Sequence, residues 1–267
     1  TTILFFSNQN RKNHFTYNFN LKNKSFLPHL SIYEMGEPLI LDSEKVINLL
    51  QKLEKHQSIE NFINITRGLE LGKKTLNRQN NPFENSIPLF SGEAIKKYSF
   101  DKKLIYYVDS FEIKKYIKDL DSSFLEYPRL LMRRVDSKPI LTLIDSSVDI
   151  INNLISIYNI SLIDKALDKK YIMSVLNSKL TAFYINKKFN SNEKIFPYIR
   201  IEQLKRFPLN INTTQQPFIE KVDQILALKQ DNPEADTTTL EKEIDTLVYK
   251  LYNLTDDEIA IVEESSK

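Results

Sequence analysis

The 267-residue chain has no cysteine and no tryptophan, and only four glycines, three histidines and three methionines. Without cysteine there is neither a disulfide framework nor a thiolate metal site, a usage that fits the cytoplasm. The glycines, Gly36, Gly68, Gly72 and Gly92, build neither a G-x-G-x-x-G fingerprint nor a phosphate loop, which argues against a nucleotide or S-adenosylmethionine pocket. His14, His29 and His56 are scattered, without the i, i+3 or i, i+4 spacing that sets two metal ligands on one helix face. No run approaches the roughly 18 consecutive apolar residues of a membrane span. The opening Thr1-Thr-Ile-Leu-Phe-Phe-Ser7 has no basic leader and reads as an excised piece of a longer chain.

What is present is an ordered globular composition, 41% hydrophobic and 11% aromatic. The net charge of +2 hides an asymmetry. Residues 231–267 hold eleven Asp/Glu against three Lys/Arg, a net of 3 − 11 = −8, which leaves 34 − 24 = +10 on residues 1–230. A basic body with an acidic tail points to a polyanion partner, although solvated surface lysines give the same count.

Apolar alternation predicts a hairpin over residues 3–20, and strands over Ser86–Phe90, Leu104–Val108, Arg129–Arg134, Ile140–Asp145 and Asn153–Ile160. Helical spacing predicts helices over residues 43–56, 168–184, 215–230 and 239–252, the last two joined by Asp231-Asn-Pro-Glu234 as a helical hairpin. Tyr106, Tyr107, Phe183 and Tyr184 fall within apolar periodic runs and read as packing residues. The fold class is α+β, a mixed-sheet domain over residues 21–210 followed by the hairpin over 211–255 and a frayed acidic end over 256–267.

No complete catalytic set is visible. Asn81-Pro82-Phe83 lacks the second proline of an adenine-methylating loop and reads as a turn. Asp109, Glu112 and Lys114 have the residue types of a Mg²⁺ nuclease, but the carboxylates lie too close in sequence for its usual strand-turn-strand layout. No serine sits in a Gly-x-Ser-x-Gly elbow.

Several segments, taken in order, resemble the TaqI-like C-terminal specificity domain, the target recognition domain of adenine-specific DNA methyltransferases and type IIG restriction-modification enzymes. They are Ile65-Thr-Arg-Gly-Leu-Glu-Leu-Gly72, Ile87-Pro-Leu-Phe-Ser-Gly-Glu-Ala-Ile-Lys-Lys-Tyr98, Pro128-Arg-Leu-Leu-Met-Arg-Arg134, Leu176-Asn-Ser-Lys-Leu180 and Phe196-Pro-Tyr-Ile-Arg-Ile-Glu-Gln-Leu-Lys-Arg-Phe-Pro208. Gln215–Leu226 is similar to the helix that follows such domains, also in type I specificity subunits. The chain departs from the family after Gly72, where Lys73-Lys-Thr-Leu-Asn-Arg78 replaces an Asn-containing, strand-forming stretch.

The resemblance implies a non-catalytic module that binds double-stranded DNA in a sequence-specific way. S-adenosylmethionine and methyl transfer to adenine N6 would belong to a methyltransferase domain of the same parent protein, and residues 1–20 would be that domain's closing hairpin. Two alternatives are a protein-docking module of a type I-like specificity subunit, using the stripe Leu240, Ile244, Leu247, Val248, Leu251, and a self-contained metal-dependent nuclease.

Within the expected interface, Arg67, Asn77 and Arg78 are the base-reading candidates, because Arg and Asn pair bidentately with guanine and adenine edges. Lys73, Lys74, Lys187, Lys188, Lys194 and Arg200 are the candidate phosphate contacts, with Lys96 and Lys97 in the same basic stretch. Arg133 and Arg134 are neighbours on one strand and point to opposite faces, so at most one faces DNA.

Overall fold

The computed structural model describes residues 19–21, 24–26, 29–30, 41–68, 79–111, 127–145, 152–153, 157–189 and 198–265. The hairpin expected over residues 3–20 lies almost wholly outside them. Two short antiparallel pairs come first: Phe19–Leu21 (β1) with Lys24–Phe26 (β2), and His29–Leu30 (β3) with Leu41–Asp42 (β4). Helix α1, Glu44–Leu53, starts where the sequence places it. Ser43 accepts from Val46 N–H as N-cap, and Val46, Ile47, Leu49, Leu50 and Leu53 form the buried face.

Gln57–Ser58 (β5) leads into Ile63–Arg67 (β6). Ser86–Phe90 (β7) is followed by the tight hairpin Ile95–Lys96 (β8) and Ser99–Phe100 (β9), then by Ile105–Asp109 (β10). Next come Arg129–Arg133 (β11), Ile140–Ile144 (β12), Asn152–Asn153 (β13) and Ile157–Leu162 (β14). The strands assort into two main sheets. One is antiparallel throughout, in the order β12-β11-β14-β6; the other, β10-β7-β13, is mixed, because β13 runs parallel to β7.

Period-two alternation divides the four-stranded sheet between two cores. Leu130, Met132, Tyr158 and Ile160 join the large helical core, while Leu131, Ile144 and Ile157 join a smaller cluster with Phe90, Ala94 and Ile95. Buried Phe183 and Tyr184 are packing residues, as expected, whereas Tyr106 and Tyr107 are only half-buried.

The helix expected over residues 168–184 is two helices, Lys169–Leu176 (α2) and Lys179–Phe189 (α3). Asp168 caps α2 as predicted, accepting from Lys170 N–H at 2.6 Å. The break at Asn177 is tertiary in origin. The Asn177 amide is pulled out to the edge of β12, where Oδ1 accepts from Leu141 N–H at 2.8 Å and Nδ2 donates to Leu141 O at 3.0 Å. Asp245, from a distant helix, then accepts from Lys179 N–H at 2.9 Å and caps α3. Leu141 O also accepts from Tyr98 N–H at 3.0 Å. Tyr98 turns the β8–β9 hairpin at φ 60, a left-handed conformation unfavourable for a tyrosine, and is held there by its buried ring.

Ile201–Lys205 (α4) and Pro208–Leu209 (β15), paired with β5, lead to Gln216–Asp231 (α5) and Thr238–Leu251 (α6). These two form the expected helical hairpin. Its apolar stripe is used within this chain: Ile244 and Val248 are fully buried, and Leu240, Leu247 and Leu251 pack against the same core as α1, α2 and α3. Asn210 and Tyr252 stitch the hairpin to β15, Tyr252 donating to Pro208 O at 2.7 Å and Asn210 Nδ2 to Leu251 O at 2.8 Å.

The expectation of a frayed acidic end is corrected. Asp256–Glu264 is a helix (α7), opened by a capping box between Thr255 and Glu258. The acidic residues that suggested solvation sit in its first turn, where the helix dipole favours them. Glu258 pairs with Lys52 of α1 at 2.6 Å, Glu263 pairs with Lys179, and Val262 is fully buried.

Candidate nucleic-acid interface

Four of the basic residues singled out in the sequence meet at one corner of the four-stranded sheet. Arg67 ends β6 directly across from Tyr158 on β14, and Arg133 ends β11 across from Ile157. Arg134 follows, and its carbonyl accepts from Ile199 N–H at 3.0 Å. Ile199 is held from its other side too, since the buried Tyr158 hydroxyl donates to Ile199 O at 2.7 Å. This double attachment brings Tyr198 and Arg200, the flanking residues, to the sheet end.

The Arg134 guanidinium lies 5.2 Å from the Tyr198 ring centroid, and its charge acts on the Tyr158 hydroxyl. Arg200 donates to the Tyr198 hydroxyl from Nε at 3.3 Å and Nη2 at 3.0 Å. Burial raises the pKa of Tyr158, while the charges of Arg134 and Arg67 pull it down. Arg133 turns elsewhere, with Nε on Val135 O at 3.0 Å and Asp136 at 3.9 Å, so the two neighbouring arginines diverge as strand geometry predicts.

The lysines are arranged differently. Lys97 pairs with Glu241 of α6 at 2.5 Å, Lys187 with Asp42 at 2.7 Å and Lys188 with Glu54 at 2.7 Å. Each ties one element of the fold to another. By contrast, neither Arg67 nor Arg134 has a carboxylate within ion-pairing distance among the described residues. Lys96 is exposed on β8. Lys73, Lys74, Asn77, Arg78 and Lys194 lie outside the described residues. The residues that flank the first four in sequence are placed: Gly68 N–H donates to Ile157 O at 3.0 Å, and Gln79 pairs with Tyr107 through both backbone groups.

Tyr158 and Tyr198 were not singled out in the sequence. Tyr198 carried a signal: two residues before Arg200 in an extended stretch, it falls on the same side of the chain. Tyr158 had none, because its role depends on Ile199, 41 residues away. Among the described residues no three His, Cys, Asp or Glu side chains come together to hold a metal ion. Of the nuclease-like set, Asp109 instead accepts from Phe111 N–H at 2.7 Å, and Glu112 and Lys114 lie outside the described residues. No helix among the described residues is long and apolar enough to cross a membrane.

Fold and corner together describe an α+β module with arginines gathered at one end of a sheet. Residues 87–209 match the family model of the TaqI-like C-terminal specificity domain. The matched stretch includes Arg133, Arg134, Tyr158, Tyr198 and Arg200; Arg67 precedes it. Among solved structures the chain is similar to the HsdS subunit from Thermoanaerobacter tengcongensis, at 11% identity and a TM-score of 0.35, over 78% of this chain and 51% of that one. The chain thus spans about half the length of that subunit. No curated protein matches it.

Proposed function

We propose that this chain is the sequence-specific duplex-DNA recognition module of an adenine-N6 DNA methyltransferase or type IIG restriction-modification enzyme, acting in the cytoplasm. The observation that carries the reading is the corner of Arg67, Arg134 and Arg200 on a chain that matches the specificity family over residues 87–209. The methyltransferase domain of the same parent protein would bind S-adenosylmethionine and act on the extruded adenine, while this module holds the flanking duplex in register.

The basic corner supplies positioning contacts. The stretch from Gly68 to Gln79, whose two end residues are hydrogen-bonded to strands, supplies base-reading candidates in Asn77 and Arg78. The docking alternative is disfavoured because the stripe from Leu240 to Leu251 packs into this chain's own core. Mapping methylated adenines genome-wide, with the parent gene intact and deleted, tests the reading. A sequence motif that loses methylation on deletion is expected; an unchanged map counts against it.

A further inference from the structure

Tyr198 receives two arginines from separate parts of the chain, and the two contacts differ. Arg200 makes two hydrogen bonds to the hydroxyl, with its guanidinium 5.3 Å from the ring centroid. Arg134 lies over the ring, 5.2 Å from the centroid. It is held on two sides, by the ring and by its carbonyl's bond to Ile199. Among the described residues its buried Nε has no hydrogen-bond partner. Two guanidinium groups gathered at one ring repel each other, and an anion at the corner would offset that repulsion. A guanidinium stacked on an aromatic keeps its planar fork oriented before any ligand arrives.

The anion's chemistry follows from how far these groups can reach. Reading a base edge requires a side chain that protrudes into a groove, whereas Arg134 is half-buried, stacked and tied back. Such a group suits a phosphate lying against the protein surface.

We propose that Tyr198 is a positioning residue that holds Arg134 and Arg200 as a two-pronged clamp for one phosphodiester of the DNA backbone. The inference rests on the DNA-recognition reading above. The clamp fixes register, and sequence is read elsewhere on the module.

The test is equilibrium binding of the full chain to a short mixed-sequence duplex over a series of salt concentrations, with thermal melting of each variant alongside. Tyr198→Leu removes both contacts; Tyr198→Phe keeps the ring beside both guanidinium groups and removes only Arg200's hydrogen bonds to the hydroxyl. Tyr198→Leu is expected to weaken binding roughly three- to tenfold and Tyr198→Phe by less, both with the wild-type salt slope, since both cations remain. Arg134→Ala should lower the slope by about one, and adding Tyr198→Leu to it should cost less than Tyr198→Leu alone. Arg134→Lys should keep the slope and bind more weakly. Wild-type affinity in folded Tyr198→Leu, or full additivity of the two effects, overturns the clamp and leaves the DNA reading intact. Absence of salt-dependent binding by the wild type overturns both.

Discussion

The Tyr158 hydroxyl donates to the carbonyl of Ile199 at 2.7 Å, joining the buried end of β14 to the segment that carries Tyr198 and Arg200. Tyr158→Phe deletes that bond while preserving the ring. A stability loss of about 1–2 kcal/mol is expected in urea unfolding, together with weaker duplex binding. Loss of stability with wild-type binding would separate Tyr158 from the interface.

Asn177 carries the edge of the sheet. Leu141 O keeps Tyr98 N–H as a second donor, whereas Leu141 N–H donates to the Asn177 side chain. Asn177→Ala should therefore cost about 1–3 kcal/mol, the penalty of one buried donor left unmade. Denaturant midpoints of the two proteins measure it.

Asp245 gives the fold a pH dependence of defined sign. Burial raises its pKa, opposed by the hydrogen bond from Lys179 N–H and by the charges of Lys97 and Lys179, and reinforced by Glu263. A carboxyl raised above its unfolded value takes up a proton on folding, so its contribution is largest in acid and falls as the pH rises through the folded pKa. Glu241, Tyr98 and Tyr249 share this junction. Asp245→Asn keeps an acceptor for Lys179 N–H and removes the charge. Melting curves should show it gaining on the wild type between acid and neutral pH; a variant that instead falls behind at neutral pH would mean that the two lysines outweigh burial.

Lys187 and Lys188 pair with Asp42 and Glu54, so they are expected to serve the fold more than the duplex. Replacing both with alanine should change stability by about 0–1 kcal/mol per pair and leave the salt slope of DNA binding near the wild-type value. A slope reduced by about two would restore them as phosphate contacts.

Much of the fold was legible because it is periodic. The alternation of Ser86–Phe90, Arg129–Arg133 and Ile140–Ile144, and the helical spacing after Ser43, are local signals, and the strands and helix form there. The failures are places where distant residues decide. Asn177 breaks a helix to satisfy Leu141, and the acidic run after Thr255 folds because Lys52 and Lys179 await it. The site follows the same pattern. Arg67, Arg134 and Arg200 could be named by residue type, but separating Arg67 and Arg134 from Lys97, Lys187 and Lys188 required knowing which cations face carboxylates across the fold.

The most direct measurement is the salt dependence of duplex-DNA binding by the full chain and by Arg67→Ala/Arg134→Ala. If the arginine corner is the interface, log affinity falls linearly with log salt, and the double variant lowers the slope by about two, one for each arginine that no longer neutralises a phosphate. An unchanged slope in the folded double variant, or wild-type binding indifferent to salt, would contradict it.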